Sequence, residues 1–423
     1  MKTIRAPIIV LGSLLPLALT ANAAPDFSQT VRDFSANRHQ LIQDLSSRLN
    51  LPLPPAVEPF FQAAMAGDWS AVSNQLAQLK AQDPCQPAIA SLMNALWAPI
   101  HETWGLYAVW TGLKEDSGLM NMFTGPILAS MPAGSIYFGG TDAGRFAITA
   151  VNAVQNPPPV VCLTQNALAD NSYLAYLRAT CGDRIWLPSQ EDSQAAFRQY
   201  LNDVKEGRIP AGADVKIEDG KVQVEGVAGV MMINSMLSRM IFDHNKDTHP
   251  FFVEESYVLG WMYPYLEPHG LILQLCPKPV VELSPETIAR DQQLWDEQEK
   301  NLFATPGFAQ NLEAHKIFAK LRAAIAGVYE YRKLNPEAEA AYRQAIRLCP
   351  ASPEANFRLA NMFAVRQQTG TAIQVMEAYL AVCRPEYADQ AREYLVQLRK
   401  TRAQAEAAKG ETIPPSDPQV MEK

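Results

Sequence analysis

The sequence predicts an α/β fold in which a central parallel or mixed sheet is flanked by an N-terminal helical segment and a C-terminal array of helical repeats. Two observations carry this prediction. In the middle of the chain, short β-rich runs alternate with helical runs, which is typical of βαβ units. Beyond residue 281, nearly every segment has helical spacing, and positions 34 residues apart match in character.

The N-terminus predicts a secretory signal peptide over residues 1–23. Lys2 and Arg5 precede the apolar run Ile8–Leu19, and Ala21-Asn22-Ala23 places small residues at −3 and −1 of the cleavage site. A retained N-terminal anchor, the alternative, needs a longer apolar run and no small-residue exit. No later segment has the uncharged length of a membrane helix. We therefore expect a mature protein without a membrane span, either periplasmic or secreted.

The composition is that of an ordinary globular protein, with 48% hydrophobic and 19% charged residues. Loss of Lys2 and Arg5 with the signal peptide takes the net charge from −8 to −10. Because the sequence contains no basic cluster, nucleic acid is disfavoured as a partner. Six cysteines permit disulfides in an oxidising compartment, but they fix no pairing.

Residues 24–119 form the predicted N-terminal helical region. Apolar residues recur there at three- and four-residue spacing, as in Trp69, Val72 and Leu76. Gly67-Asp68 marks a break between two helices. We expect a small helical domain or a lid over the rest of the chain.

Residues 120–280 form the predicted α/β domain, a Rossmann-like three-layer arrangement. Each of three β-rich runs is followed by a helical run after a short connection, which predicts parallel pairing. The three runs are Ser135–Phe138, Val160–Leu163 and Arg184–Leu187. A hairpin over Val215–Val224 with the turn signal Asp219-Gly220, then a helix and the β-rich run Phe251–Val258, complete the domain.

The C-terminal third divides into connecting helices over residues 281–320, repeats with a capping helix over residues 321–400, and a disordered tail over residues 401–423. Ser284-Pro285-Glu286 opens the first helix with a capping serine, a proline at the first helical position and an acid in the first turn. The tail is polar and contains Pro414-Pro415.

A shift of 34 residues aligns two copies of a helical pair. The matched positions are Ile325 with Leu359, Ala326 with Ala360, Tyr329 with Phe363, Ala338 with Ala372, Tyr342 with Met376, and Cys349 with Cys383. This is the tetratricopeptide period, with small residues where two helices touch. Pro350 closes the first repeat as the pattern requires, whereas Pro385 comes one residue late and Tyr379 stands where a small residue is usual. Two interpretations stay open: a concave surface for a protein or peptide partner, or an array that only packs against the middle domain.

Polar loops follow the three predicted strands at their carboxyl ends, where ligands bind in parallel sheets. The candidate ligand-binding residues are Gly139, Gly140, Thr141, Asp142, Gly144, Arg145, Gln165, Asn166, Asp170 and Glu191. Asp142 can accept hydrogen bonds from hydroxyls, and Arg145 can bind a carboxylate or phosphate bidentately. We therefore expect an anionic or hydroxyl-rich ligand. The alternative is an ordinary strand-to-helix turn in which Asp142 and Arg145 cap each other.

The sequence contains no motif for nucleotide binding, nucleophilic catalysis or metal binding. The glycine-rich segment lacks the lysine of a P-loop and the dinucleotide fingerprint, and no serine elbow or histidine motif is present. The run Asp243–Asp247, with Glu254 at the twelfth position, resembles a calcium loop, but Thr248 occupies the place that requires glycine. The sequence therefore predicts no catalytic residue, no metal and no cofactor.

The runs Gly134–Asp142, Arg145-Phe146 and Thr164–Asp170 resemble the soluble region that follows the membrane helices in bacterial protein O-mannosyltransferase-like glycosyltransferases. Those proteins often end in tetratricopeptide repeats, and the resemblance covers Met120–Lys400. This chain lacks the multi-spanning part that holds the catalytic and lipid-carrier sites of such enzymes. The resemblance therefore transfers no catalytic residue.

These features favour an exported, noncatalytic binding or scaffold protein. In this interpretation the repeats bind a protein or peptide partner, and the α/β domain recognises a glycan or another polar ligand. The rival class is a cell-envelope enzyme that acts on glycans or peptides and is related to glycosyltransferases. Its polar cluster would be Asp142, Arg145, Asp170 and Glu191. A deep pocket with convergent carboxylates favours the enzyme, whereas a shallow crevice beside an open repeat groove favours binding.

Overall fold

The computed structural model describes residues 26–50, 52–82, 87–209, 215–218, 221–224 and 227–410. Most of these residues are helical, and seven short strands form a five-stranded sheet and a separate two-stranded hairpin. The predicted signal peptide lies outside the described residues, as do Cys85 and the end of the chain beyond residue 410.

The helices of the described residues are α1 Phe27–Leu49, α2 Val57–Ala66, α3 Trp69–Gln82, α4 Pro87–Gly112, α5 Ser117–Ser130, α6 Ile148–Ala153, α7 Asn171–Cys181, α8 Gln190–Lys205, α9 Val227–Asn245, α10 Pro285–Ala304, α11 Leu312–Tyr331, α12 Asn335–Leu348, α13 Pro353–Val365, α14 Thr369–Leu380 and α15 Pro385–Gly410. The strands are β1 Ile136–Gly139, β2 Val161–Thr164, β3 Val215–Glu218, β4 Lys221–Val224, β5 Phe251–Glu254, β6 Leu266–His269 and β7 Ile272–Leu275.

The five-stranded sheet is mixed, with the strand order β2-β1-β5-β7-β6. The first three strands are parallel, and β7 is antiparallel to both of its neighbours. β1 is buried along its whole length, as its apolar sequence and its place between two strands require. Gly139 is level with Thr164 of β2 and with Glu254 of β5. The carboxyl ends of three parallel strands therefore meet at one edge.

The predicted third strand, Arg184–Leu187, is wrong, because β5 takes the place beside β1 and this segment begins in a turn after α7 and continues as an irregular connection. The reason lies in Asn245. The Trp186 N–H donates to Asn245 Oδ1 (2.8 Å), and Asn245 Nδ2 donates to the Trp186 carbonyl (3.0 Å). Since one side-chain amide satisfies both backbone groups of Trp186, the segment does not need a neighbouring strand.

The hairpin of β6 and β7 is absent from the sequence prediction. His269 lies opposite Ile272, and Gly270 adopts φ +61° in the turn. Pro268 lies in β6, an edge strand, the position that tolerates a residue without an N–H. The other predicted hairpin is confirmed by the antiparallel pairing of β3 with β4, and its turn, Asp219-Gly220, lies outside the described residues.

Helices α1 to α4 form the predicted N-terminal helical region, which packs against α7 and the turn after β1. Gly67, at φ +79°, ends α2, and α3 begins two residues later, so the predicted break is confirmed. Arg38 Nε donates to Glu102 Oε2 (2.6 Å) in a nearly buried ion pair that joins α1 to α4. The predicted boundary between residues 119 and 120 falls inside α5, so the helical region and the sheet domain share that helix.

The C-terminal helices form two closely packed pairs, α11 with α12 and α13 with α14, and α15 packs on α14. Matched positions of the two pairs are buried alike: Ala338 and Ala372 have no exposed surface, nor do Tyr342 and Met376. Tyr379 is also buried, with its ring centre 5.6 Å from that of Phe357. Tyr379 is therefore part of the core between α13 and α14.

Helix α15 continues to Gly410, so the prediction of disorder is wrong for residues 401–410. The Thr401 hydroxyl donates to the Gln397 carbonyl (3.0 Å), and Arg402 pairs with Glu406 one turn later (2.8 Å). Alanine, glutamine, glutamate and lysine dominate this stretch and are strong helix formers, which outweighs its polarity. Residues 411–423 lie outside the described residues.

A buried ion pair joins the connecting helix α10 to α11. Ser284 caps α10 as predicted by accepting from the Thr287 N–H (3.1 Å). Farther along, Arg322 Nη1 donates to Asp291 Oδ2 (2.7 Å), and the Tyr329 hydroxyl donates to the same oxygen (2.6 Å). Both charged side chains are almost completely buried. This network holds α10 against α11.

Close helix contact at Ala338 gives a direct test of the 34-residue alignment. Because Ala338 has no exposed surface, we expect Ala338→Leu to overpack α12 and to lower the free energy of unfolding by about 1–3 kcal/mol. Ala340→Leu, two residues away on the exposed side of α12, is the matched control and should change stability by less than about 0.5 kcal/mol. Urea unfolding measures both, and a neutral Ala338→Leu would contradict the alignment.

No described helix is long and apolar enough to cross a membrane. The described cysteines are free thiols: Cys162, Cys181, Cys276, Cys349 and Cys383.

Candidate functional site

The loop after β1 folds over the end of β5. The Thr141 N–H donates to Glu254 Oε2 (3.1 Å), and the Thr141 hydroxyl donates to Glu254 Oε1 (2.6 Å). The same hydroxyl oxygen accepts from the Gly144 N–H (3.1 Å), at the start of one π-helical turn over Ala143–Ala147. Thr141 therefore fixes the turn and the buried carboxylate together.

Gly140 and Gly144 allow the loop backbone to lie directly against two glutamates. A Cβ atom at Gly144 would collide with the carboxylate of Glu254, and one at Gly140 would collide with that of Glu255. Neither position has room for a methyl group. Packing alone thus accounts for these two predicted site residues, as the interpretation of a tight strand-to-helix turn implies.

Glu254 and Glu255 are buried at the carboxyl end of β5, with 2% and 7% of their surface exposed. Burial raises the pKa of Glu254 to about 7, with the hydrogen bonds from Thr141 opposing the rise and the charge of Glu255 adding to it. Burial also raises the pKa of Glu255, although the N–H groups of Tyr257 and Ser256 donate to it. Two carboxyl groups that resist ionisation therefore lie directly behind the loop.

Arg145 carries a guanidinium group held by two neighbours. Nη2 donates to Asp142 Oδ1 (2.5 Å), and the group lies over the Phe146 ring, 4.5 Å from its centre. The Asp142 side chain is 71% exposed, so water screens this ion pair. Arg145 Nε is buried and has no hydrogen-bond acceptor among the described residues. The contact between Asp142 and Arg145 is therefore present, but it leaves the Nε of Arg145 without an acceptor.

The loop after β2 joins the first loop through side-chain amides. Asn166 Nδ2 donates to the Gly140 carbonyl (3.0 Å), and Gln165 Nε2 donates to Glu255 Oε2 (3.4 Å). The amide oxygens of Asn166 and Gln165 are buried and lack a donor within the described part of the chain. Asp170 caps α7 by accepting from the Ser172 N–H (2.8 Å). The structure thus brings the predicted residues of both loops to one edge.

Glu191 is not brought to this edge. It follows the segment that does not form a strand, and it is exposed in the first turn of α8. The turn is stabilised by a capping box between Ser189 and Asp192. An acid in this position is favoured by the helix dipole, which accounts for Glu191 without a ligand.

Three cavities meet at Arg145. The largest, of about 610 Å³, has an aromatic wall of Trp104 and Phe146. A second cavity of about 300 Å³ reaches Glu255, and a third of about 190 Å³ reaches Asp170. The residues that line both of the larger cavities are Thr141, Asp142, Arg145 and Lys320. We call the two larger cavities together the central cleft.

Helices from the two ends of the chain supply walls of the central cleft. α4 contributes Trp104, and α11 contributes Lys320. Helix α13 also contacts the segment after β5, because Arg358 Nη2 donates to the Ser256 carbonyl (2.8 Å). This part of α13 is therefore engaged within the chain.

Four residues of the site lie outside the sequence prediction. Glu254 and Glu255 follow the apolar run of β5, so the strand-end rule would have selected them if that run had been taken as the neighbour of β1. Trp104 and Lys320 lie on helices distant in sequence, and no local pattern places them together. Among the described residues, no group of three or more histidine, cysteine, aspartate or glutamate side chains is arranged to hold a metal ion.

Comparison with known proteins gives no relative. No protein-family model matches the sequence, and no curated protein or solved structure matches it either. The function is therefore argued from the chemistry of the central cleft.

Proposed function

We propose that this chain is an exported binding protein whose central cleft recognises a glycan. The observation that carries the proposal is the pairing of an aromatic wall, Trp104 and Phe146, with a polar wall of Thr141, Asp142 and Arg145 in one cavity of about 610 Å³. This volume lies within the usual range for small-molecule sites.

The two walls match the two kinds of surface on a sugar ring. The C–H face of the ring packs on an aromatic side chain, and the hydroxyl groups bind charged and polar side chains around its edge. Thr141 and Arg145 are held by neighbours before any ligand arrives, so ordering them costs little on binding. A pocket for a purely apolar ligand would not need three polar groups in its lining.

We further propose that α11 to α14 are two tetratricopeptide repeats and that β1, β2 and β5 with their helices form a small Rossmann-like unit. The matched burial of Ala338 and Ala372 supports the repeats, and the parallel strands support the unit. The repeats hold the cleft together, and their remaining surface recruits a protein or peptide partner in the periplasm or outside the cell. The resemblance to the soluble region of O-mannosyltransferase-like glycosyltransferases, and the signal pattern, support this location and ligand class.

Binding of the full mature chain to a glycan array, followed by titration of the strongest ligand, tests the proposal. We expect Asp142→Asn to lower the affinity for that ligand by about tenfold, as the loss of one charge-assisted hydrogen bond implies. The melting temperature should not change. Asp389→Asn is the matched control, because Asp389 pairs with Arg392 at the same three-residue spacing on an exposed helix. It should leave binding unchanged.

Two outcomes would contradict the proposal. If the array gives no ligand, the cleft is not a glycan site. If Asp142→Asn lowers the melting temperature and leaves glycan affinity intact, Asp142 only caps Arg145, and the polar wall has no part in recognition.

The buried carboxyl groups favour a second candidate, an enzyme of the cell envelope that acts on glycans or peptides. Glu255 lines the cavity of about 300 Å³, and a carboxyl group with a raised pKa suits general acid catalysis. Appearance of new reducing ends or amino termini on incubation with the ligand, abolished by Glu255→Gln, would favour the enzyme. Stable binding without turnover would favour the binding protein.

A further inference from the structure

Two cationic side chains from different parts of the chain line both cavities of the central cleft. Arg145 comes from the turn after β1, and Lys320 comes from the middle of α11. Each is partly buried, with 22% and 35% of the side chain exposed. A group that lies between the two cavities therefore meets both cations in surroundings where water screens charge only in part.

Neither cation is fully neutralised by its neighbours. Asp142, the partner of Arg145, is mostly in water, and the nearest carboxylate oxygen to Lys320 Nζ belongs to Glu354 at 3.8 Å. Arg145 Nε has no acceptor among the described residues although it is buried. An unpaired buried donor is costly, so a ligand oxygen that accepts from Arg145 Nε is favoured.

The acidic residues of the cleft limit the charge of the ligand. Asp142 lines both cavities, and Glu255 lines the smaller one beside Lys320. Lys316 and Glu313, which also line the larger cavity, pair with each other (2.6 Å), and burial disfavours the charged form of Glu255. Arg145, Lys320 and Asp142 then leave a net charge of about +1, which a single carboxylate balances and a dianionic phosphate exceeds. The planar fork of Arg145 also matches carboxylate geometry.

We propose that the glycan carries a carboxylate, as a hexuronic acid does, and that this group lies between Arg145 and Lys320 while the sugar ring packs on Trp104. This inference rests on the glycan site proposed above and adds the charge of the ligand to it. Thr141 and Asp142 then face the ring hydroxyls from the same wall.

Calorimetric titration of the full mature chain with uronic acid trisaccharides tests the inference. Trimers of glucuronic, galacturonic and mannuronic acid are each compared with the same trimer after its carboxylates have been reduced to alcohols. We expect at least one acidic trimer to bind ~10- to 100-fold more tightly than its reduced form, with an affinity that falls as salt is raised.

Variants of the two cations locate the effect. Arg145→Gln should abolish the difference between the acidic and reduced trimers, and Arg145→Lys should restore only part of it because the planar fork is lost. Lys320→Gln should reduce the difference by ~3- to 10-fold and provides an independent test if Arg145→Gln does not fold. Arg392→Gln, which removes an exposed cation from a similar ion pair, should have no effect.

The outcomes separate this inference from the function on which it rests. Equal binding of acidic and reduced trimers overturns the carboxylate assignment but leaves a glycan site in place. Tighter binding of a phosphorylated trisaccharide also overturns it. If the array and all trimers show no binding, the glycan site itself fails. An affinity for acidic trimers that is unchanged in Arg145→Gln and in Lys320→Gln places the carboxylate elsewhere on the surface and overturns the inference.

Discussion

Asp291→Ala is expected to lower the free energy of unfolding by about 3–5 kcal/mol, because it leaves the buried charge of Arg322 without its counter-charge. The side chains of Asp291 and Arg322 are 1% and 3% exposed, so water cannot replace the lost carboxylate. The Tyr329 hydroxyl loses its acceptor as well. Urea unfolding of the full chain at neutral pH measures the effect.

Two further variants show whether the charge itself is responsible. Glu297→Ala, on the exposed side of the same helix, should change stability by less than about 0.5 kcal/mol. The double variant Asp291→Leu with Arg322→Leu removes both charges and should be far more stable than Asp291→Ala, since apolar pairs replace buried ion pairs at little cost. A small effect of Asp291→Ala would mean that the buried contact between α10 and α11 is absent.

The elements that were predictable from the sequence are those whose signal is local. Ser284 caps α10 because a serine before a proline and an acid is sufficient to start a helix. β1, β2 and the hairpin of β3 and β4 are confirmed from apolar runs and a turn signal. In each case the residues within the element and its turn are sufficient for the prediction.

The prediction of the third strand was wrong because it depends on a contact between residues that are distant in sequence. Ile185, Trp186 and Leu187 have strand-forming side chains, but Asn245, about sixty residues later in the chain, satisfies the backbone of Trp186. Sheet order is decided by such distant contacts, and here they gave the place beside β1 to β5. Glu191 was placed at the sheet edge only through that strand, so it shared the error.

The candidate site was predictable in its loops but not in its walls. Two loop segments were selected because polar residues follow apolar strands, and both lie at the cleft. The glycines of the first loop, however, are explained by Glu254 and Glu255, which the sequence places more than a hundred residues away. Lys320 reaches the cleft from α11, a contact that depends on how the whole chain packs.

Gly144→Ala is expected to lower the free energy of unfolding by about 3 kcal/mol or more, because the added methyl group would occupy the position of the Glu254 carboxylate. That carboxylate cannot move aside without breaking both of its hydrogen bonds from Thr141. The same shift would displace the loop that carries Asp142 and Arg145, so ligand binding should be lost together with stability. Thermal and urea unfolding measure the first effect, and titration with the array ligand measures the second.

A double-mutant cycle distinguishes this collision from a general effect of alanine. In a Glu254→Ala background the methyl group of Gly144→Ala has space, so its cost should fall by about 1 kcal/mol or more relative to its cost in the parent chain. Gly370→Ala, in the first turn of α14 with nothing within 4 Å of the new Cβ, should be neutral or slightly stabilising. If the cost of Gly144→Ala is the same with and without the Glu254 carboxylate, the glycine is required by the backbone of the turn, and the close approach of the loop to Glu254 is not its cause.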